Sequence, residues 1–432
     1  MISKPLQPLS ADGPQSKSDQ TRAIIVAAAA RHFRYDGYSA STMRKIADLA
    51  KMEAGSIYYH FESKEELLGE VLDLGLRRLY ENTRQTLIEV RAQKSDFRQI
   101  FAKLINTHLT FLLTESDFAS ANIRNFPTLP EELRKMHRPL RSAYSELWND
   151  FLSDAQNEGS IRTDMKIAPL RQFVLGAMNW TVEWYDTDRY PVSDLSERMM
   201  KLLLEGMATQ KERPLVFAPT DQNQHLNDTP DAGNKAARTR AKVLSAAARI
   251  IRDRGYKVAT MRAIALEAGI EAGSVYYHFA AKEDILDKVL DLGIRDLLTG
   301  VSQIVSDAHS YPDDLSRVAA AIETHMQFLF QVSEFASANI RIYGQLPKDV
   351  RARHWPVRHE YAQLWDSILT DAQNAGDIRS DIKIVPLRQV MLGALNWTVE
   401  WFDPDKSGQD NYYTLQELSG MLQKLLLGGL LK

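Results

Sequence analysis

Residues 53–61 read Glu-Ala-Gly-Ser-Ile-Tyr-Tyr-His-Phe, and residues 271–279 read Glu-Ala-Gly-Ser-Val-Tyr-Tyr-His-Phe. This duplication constrains the fold more than any other feature of the chain. Its offset of 218 positions far exceeds the roughly 20–50 residues of a solenoid repeat. A whole domain has been copied in tandem. By His108 and His325 the offset is 217, so the copies differ by one residue between their first long helix and the next. The 432 residues thus form two units of about 200, each long enough to bury a core. A possible dimer is fused into one polypeptide.

The formal net charge of −3 hides a gradient. Lys17 to Lys64 holds eight Lys/Arg against five Asp/Glu, and Lys235 to Lys282 holds ten against three. Each repeat therefore starts basic, +3 and +7, on an otherwise acidic chain. Such a distribution marks a surface that faces nucleic acid, with an ordinary solvated face as the plain alternative. The absence of cysteine excludes a disulfide framework, thiol catalysis and Cys-ligated zinc, and suits a cytoplasmic protein. No apolar run is long enough for a membrane span. Residues 1–17 read as a flexible arm rather than a secretory signal.

Apolar spacing is helical throughout, which gives an all-α fold class. Ile24, Ile25, Ala28, Ala29 and Phe33 stripe a first helix ending near Gly37. Short helices are expected from about Thr42 and across 53–60. Ser63 and Glu66 form a capping box that opens a long helix. Ala281 stands at the Ser63 position in repeat two, which loses that cap. Later helices are expected at 96–114, 116–126, 130–157, 166–185 and 192–208, with Pro139 a kink or break in the third. The expected domains are the arm, a head over 18–64, an effector and pairing domain over 65–210, a linker over 211–234, a second head over 235–282 and a second effector domain over 283–432. As a flexible coil this linker spans about 25–29 Å, and at most roughly 80 Å. Successive major grooves lie about 34–36 Å apart, so both heads can reach one duplex.

Thr42-Met-Arg-Lys-Ile-Ala47, Ala54-Gly-Ser-Ile-Tyr58-Tyr-His-Phe61 and Lys64-Glu-Glu-Leu67 resemble the helix-turn-helix of the TetR family of bacterial repressors. Thr260-Met-Arg-Ala-Ile-Ala265, Ala272-Gly-Ser-Val-Tyr276-Tyr-His-Phe279 and Lys282 resemble it equally. The likeness implies two tandem TetR-like repeats, each a three-helix head followed by a helical effector and dimerisation domain. It implies double-stranded DNA as one partner and a small-molecule effector as the other, with no cofactor, no metal and no enzymatic activity.

A short helix enters the major groove end-on, and small residues at its start let the backbone approach bases and phosphates. The expected DNA-binding residues are Thr42, Arg44, Ala54, Gly55, Ser56, Tyr58, Tyr59, His60 and Lys64. Their counterparts are Thr260, Arg262, Ala272, Gly273, Ser274, Tyr276, Tyr277, His278 and Lys282. Ile57 and Phe61 read as core, and one tyrosine of each pair is expected to pack inward. Identical reading residues favour identical half-sites, hence a near-palindromic operator. Differences at Lys45/Ala263, Lys51/Gly269 and Met52/Ile270 weight the arms unequally.

Behind the heads, Phe173, Ala177, Trp180 and Trp184 form one helical stripe, as do Val390, Ala394, Trp397 and Trp401. Gly176 and Gly393 allow close helix approach. The reading is a pairing face joining the repeats into an intramolecular pseudo-dimer, with a further homodimer open; the alternative is ordinary core. Effector contacts are expected from Phe118, Asn122, Arg124 and Trp180, and from Phe335, Asn339, Arg341 and Trp397. A polar Asn and Arg on an apolar helix orient a carboxylate, thioester or phosphate, or else make structural bonds. The TetR likeness points to acyl-CoA thioesters or lipid and steroid catabolites as effectors. The pockets diverge at Asn125-Phe126 against Ile342-Tyr343 and at Arg138 against Trp355. The expected function is a ligand-released repressor. An effector-independent architectural DNA binder and a thioester-processing enzyme are the alternatives, separable by ligand sensitivity and by turnover.

Overall fold

The computed structural model describes residues 16–35, 38, 41–115, 117–126, 131–186, 188–206, 235–256, 258–344, 346, 348–406 and 413–429. The expected linker, and all but the end of the expected arm, lie outside them. Among the described residues there are eighteen α-helices and no strand. Repeat one has α1 (Lys17–Tyr35), α2 (Met43–Leu49), α3 (Ala54–His60), α4 (Lys64–Ala92), α5 (Phe97–Thr110), α6 (Asp117–Asn125), α7 (Glu131–Asn157), α8 (Ile167–Asn179) and α9 (Val192–Glu205). Repeat two has α10 (Lys235–Arg254), α11 (Met261–Ala268), α12 (Ala272–His278), α13 (Lys282–Ser306), α14 (Asp314–Gln327), α15 (Ala336–Tyr343), α16 (Lys348–Asn374), α17 (Ile384–Asn396) and α18 (Leu415–Gly428). Single π turns follow α5 and α14, and 3-10 turns follow α8 and α17.

Each head has its own core. Ile25, Ala29, Phe33, Ile46, Ile57 and Phe61 close with Leu67 and Val71 of α4. Val243, Ala247, Ile251, Ile264, Val275 and Phe279 close with Ile285 and Val289 of α13. One larger core runs through both effector halves. The seam pairs α8 with α17, and α9 with α17 and α18. Its contacts occur twice with the roles exchanged. A Cβ at Gly176 would lie 2.7 Å from the Trp397 side chain, and one at Gly393 would lie 2.9 Å from that of Trp180. Arg162 donates to the Gly429 carbonyl at 3.3 Å, and Arg379 donates to the Gly206 carbonyl at 3.4 Å. Gly206 and Gly429 terminate α9 and α18 with φ of 71° and 76° and back onto each other. Reciprocal contact of this kind is what a two-fold interface produces.

Three local expectations are corrected. Ser63 accepts from the Glu66 N–H at 3.0 Å, but Glu66 reaches back to the Glu62 N–H at 2.7 Å, one residue beyond the box. Repeat two keeps half of its cap, because Asp284 accepts from the Ala281 N–H at 3.0 Å. Pro139 breaks nothing: α7 runs unbroken through it, as α16 does through Pro356. A proline forfeits one hydrogen bond, and buried Leu140, Tyr144 and Trp148 hold that helix in the core.

Candidate DNA-reading heads and effector cavities

The recognition helices α3 and α12 are seven residues long and each buries a single side chain, Ile57 or Val275. That leaves the rest of each helix outward. Tyr58 and Tyr59 are 57% and 86% exposed, and Tyr276 and Tyr277 are 58% and 83% exposed. Neither tyrosine of a pair packs inward, contrary to the expectation: Ile57 and Phe61, one turn apart, already take the inward face. Tyr59 sets its ring edge-on to His60 at 5.5 Å, and Tyr277 to His278 at 5.2 Å. Gly55 and Gly273 face open space, where a Cβ would meet no atom within 4 Å. Glycine in a helix costs roughly 0.5–1 kcal/mol against alanine, and no packing here requires it. The bare backbone it leaves suits the close approach of another molecule. Ser56 and Arg44 are exposed, as is Arg262; Ala54, Ala272 and Ser274 are half-buried.

Two expected contacts already have structural work. The Thr42 and Thr260 hydroxyls cap α2 and α11, accepting from the Lys45 and Ala263 N–H groups at 3.2 and 3.1 Å. Lys64 donates to the Tyr38 and Ser41 carbonyls at 3.0 and 2.7 Å and lies over the Tyr38 ring. Burial holds its ammonium below the usual range, with Glu65 opposing. Lys282 lies over Tyr256 in the same way, 4.4 Å from the ring centre. Unexpected braces are Arg22 and Arg240. Arg22 donates to the His60 carbonyl at 2.8 Å, Arg240 to that of His278 at 3.2 Å, and each lies over the following phenylalanine. They fix the C-terminal ends of the two recognition helices. No spacing rule exposes them, because the contacts span 38 residues.

Behind the heads lie the cavities. Repeat two has one of about 810 Å³, lined by Arg358, Tyr361, Leu392 and Asn396 of its own helices and by Trp180, Glu183 and Trp184 of repeat one. Repeat one has an inner chamber of about 320 Å³, lined by Asn122, Arg141, Tyr144 and Asn179 and by Arg341, Trp397 and Glu400 of repeat two. Each cavity is thus walled partly by the other repeat. Of the expected effector residues, Trp180 and Trp397 line cavities while also packing the seam glycines. Asn122 and Asn339 are buried and bonded: they donate to the Leu72 and Leu290 carbonyls at 2.7 and 2.6 Å. Arg341 pairs with Glu400 at 3.4 Å and donates to the Arg252 carbonyl. Phe118 and Phe335 pack against the head cores instead. The side chain of Arg124 lies outside the described residues.

Each cavity is also lined by a buried arginine that the sequence reading missed. Arg141 donates to Asn122 Oδ1 at 3.2 Å with its guanidinium 3.7 Å over the Phe126 ring. Arg358 donates to Asn339 Oδ1 at 2.6 Å and sits 3.7 Å over Tyr343. Among the described residues, neither has a carboxylate at ion-pair distance. Burial pushes Arg141 down to about 10 and lowers Arg358, each opposed from the other repeat by Glu400 or Glu183. Arg141 remains cationic at neutral pH. Beneath each lies a buried triad. The Tyr144 hydroxyl donates to His108 Nδ1 at 2.7 Å, and His108 Nε2 donates to Asn179 Oδ1 at 3.1 Å. Tyr361, His325 and Asn396 repeat this at 2.7 and 3.1 Å. Burial depresses both histidines to about 4, so they are neutral. Among the described residues no cluster of His, Asp or Glu suits a metal, and no helix is long and apolar enough to cross a membrane.

The chain matches the domain "Bacterial regulatory proteins, tetR family" over residues 25–71 and 243–289. It matches "Tetracyclin repressor-like, C-terminal domain" over 94–207 and 312–411. A similar protein is the HTH-type transcriptional repressor KstR2 of Rhodococcus jostii, 28% identical over 45% of this chain and 94% of its own length. Another is the fatty acid metabolism regulator protein of Bacillus subtilis, 24% identical over 44% of this chain and 94% of its own. A similar solved structure is AibR in complex with isovaleryl coenzyme A and operator DNA, 21% identical, TM-score 0.39, covering 42% of this chain and 96% of AibR. One repeat thus accounts for nearly the whole of such a relative. The chain belongs to the TetR family of helix-turn-helix transcriptional regulators and carries that family's head and effector domain twice in one polypeptide.

Proposed function

We propose that this chain is a ligand-released repressor whose two repeats act as a covalent pseudo-dimer on a near-palindromic operator. Matched heads carry the operator part of the reading: the exposed Tyr58-Tyr59 and Tyr276-Tyr277 pairs and the open Gly55 and Gly273 are the same in both. The release mechanism rests on one observation. In each repeat a cavity arginine bonds an asparagine that in turn bonds a backbone carbonyl of the long helix below the head. The chain runs Arg141 to Asn122 to Leu72 in one copy and Arg358 to Asn339 to Leu290 in the other. An anionic ligand that draws the guanidinium off the asparagine frees that helix to shift and re-aims the head. The ligand acts only through its different affinity for the two arrangements.

The effector class that fits is an acyl-CoA thioester, or an acidic lipid or steroid catabolite. A buried cation with no carboxylate at ion-pair distance can take an anion, though Glu183 and Glu400 share the cavity wall, and Leu392, Val182 and Ile294 supply an apolar surface. A relative named for fatty acid metabolism agrees with this class. The test is protection of the DNA flanking the coding region, with acyl-CoA thioesters added. Protection of an inverted repeat, lifted by a thioester, is the expected result. Tyr58→Ala or Tyr276→Ala should each weaken that binding by about 10- to 100-fold. A protected site lacking an inverted repeat, or equal losses on unrelated DNA, would reject the reading.

A further inference from the structure

A homodimer must build two identical pockets; a fused pair is free of that constraint, and this chain's pockets differ. In repeat two the space is continuous, about 810 Å³ from the seam to the surface. In repeat one it is divided into the inner chamber of about 320 Å³ and an outer groove of about 510 Å³. Phe126, Arg134, Arg141 and Ser145 line both parts and so form the partition. The inner chamber is further walled by repeat two, through Arg341 and the end of α10 at Arg252 and Asp253. The mouths differ too. At that of repeat two, Trp355 is 57% exposed and lies flat on His359, ring centres 4.5 Å apart and planes 11° apart. At that of repeat one the equivalent residues are Arg138 and Ser142, so no aromatic ring stands there.

We infer that the chain takes a single ligand, in the cavity of repeat two, and that Trp355 stacks on the planar heteroaromatic part of that ligand. This rests on the thioester reading above, since a CoA thioester carries such a ring on its phosphate-bearing end and an apolar chain on the other. Trp355 and Arg358 then receive the ring and an anionic group, while the apolar chain points toward Leu392. Repeat one answers through the shared wall: Ile123, Asn179, Arg341, Trp397 and Glu400 border both cavities. One ligand thereby acts on two heads. Its presence disfavours a second, because both sites compete for the positions of the same wall residues.

The experiment is native mass spectrometry of the full chain titrated with octanoyl-CoA, with titration calorimetry for affinity. One ligand per chain is expected. Trp355→Ala should weaken binding by about 10-fold or more, with Trp355→Phe recovering most of it. Arg138→Ala, at the matching position of repeat one, should leave affinity within about twofold. Both side chains are on the surface of long helices, and circular dichroism checks the fold. Two ligands per chain, or a larger loss from Arg138→Ala than from Trp355→Ala, overturns this inference while leaving the thioester reading intact. No binding of octanoyl-CoA, palmitoyl-CoA or free CoA rejects both.

Discussion

The heads and the cavities of this molecule have the same ancestry but have kept it to different degrees. Ile57 and Val275, the tyrosine pairs and the open glycines Gly55 and Gly273 match almost atom for atom across the two recognition helices. The cavities share an arginine, an asparagine and a histidine triad, yet differ in partition and mouth. On the proposed reading, an operator with two-fold symmetry would hold both heads to one chemistry, whereas a small ligand in a fused chain would need only one competent site. The glycines teach the same lesson in reverse. Those at the seam are demanded by the protein itself, and those on the recognition helices are not.

The largest expected effect concerns what the cavities still share. Histidine titrates near 6.5 in an unfolded chain, and His108 and His325 are depressed to about 4 in the fold. Between those values the unfolded state binds more protons, so stability falls as pH falls. At pH 5 the two together should cost about 4 kcal/mol relative to neutral pH. Denaturant melts across pH 7 to 5 should show that loss, and His108→Gln should remove about half of its slope. A slope unchanged in the variant would mean the triads do not carry it.

Next comes the seam against the heads. Gly206→Val forces a positive-φ residue with a side chain against the Leu427 carbonyl and should cost about 3 kcal/mol or more. Gly55→Ala should instead stabilise the free protein by roughly 0.5–1 kcal/mol, while weakening operator binding. Thermal melts and operator titration of the two variants should therefore move in opposite directions. A fall in stability for Gly55→Ala would erase the distinction. The smallest effect separates the heads from each other. Ser63→Ala should lose about 1 kcal/mol, and Ala281→Ser should gain up to that amount, by making the heads alike in their caps. No gain from Ala281→Ser would show the half cap from Asp284 to be sufficient.

Much of this was legible in the sequence, for local reasons. Helix spacing, the cap at Ser63 and the recognition motif each lie within a few residues. The duplication then repeated each signal. What escaped is non-local. Arg141 bonds Asn122 from 19 residues away and feels the charge of Glu400 from the other repeat. Arg22 finds the His60 carbonyl across 38 residues. Sequence flagged Asn122 as a ligand group because it is polar on an apolar helix, but its amide is spent on the Leu72 carbonyl. The inward tyrosine was a miscount of faces. A seven-residue helix that buries Ile57 has no second inward position to offer.

The account stands on one claim above the others, that a single chain supplies both heads to one operator. Light scattering of the purified chain, alone and with a duplex carrying the protected inverted repeat, measures this directly. The account predicts a 49.0 kDa particle in free solution and one chain per duplex in the complex. A free species of twice that mass, or two chains on a single inverted repeat, would contradict it.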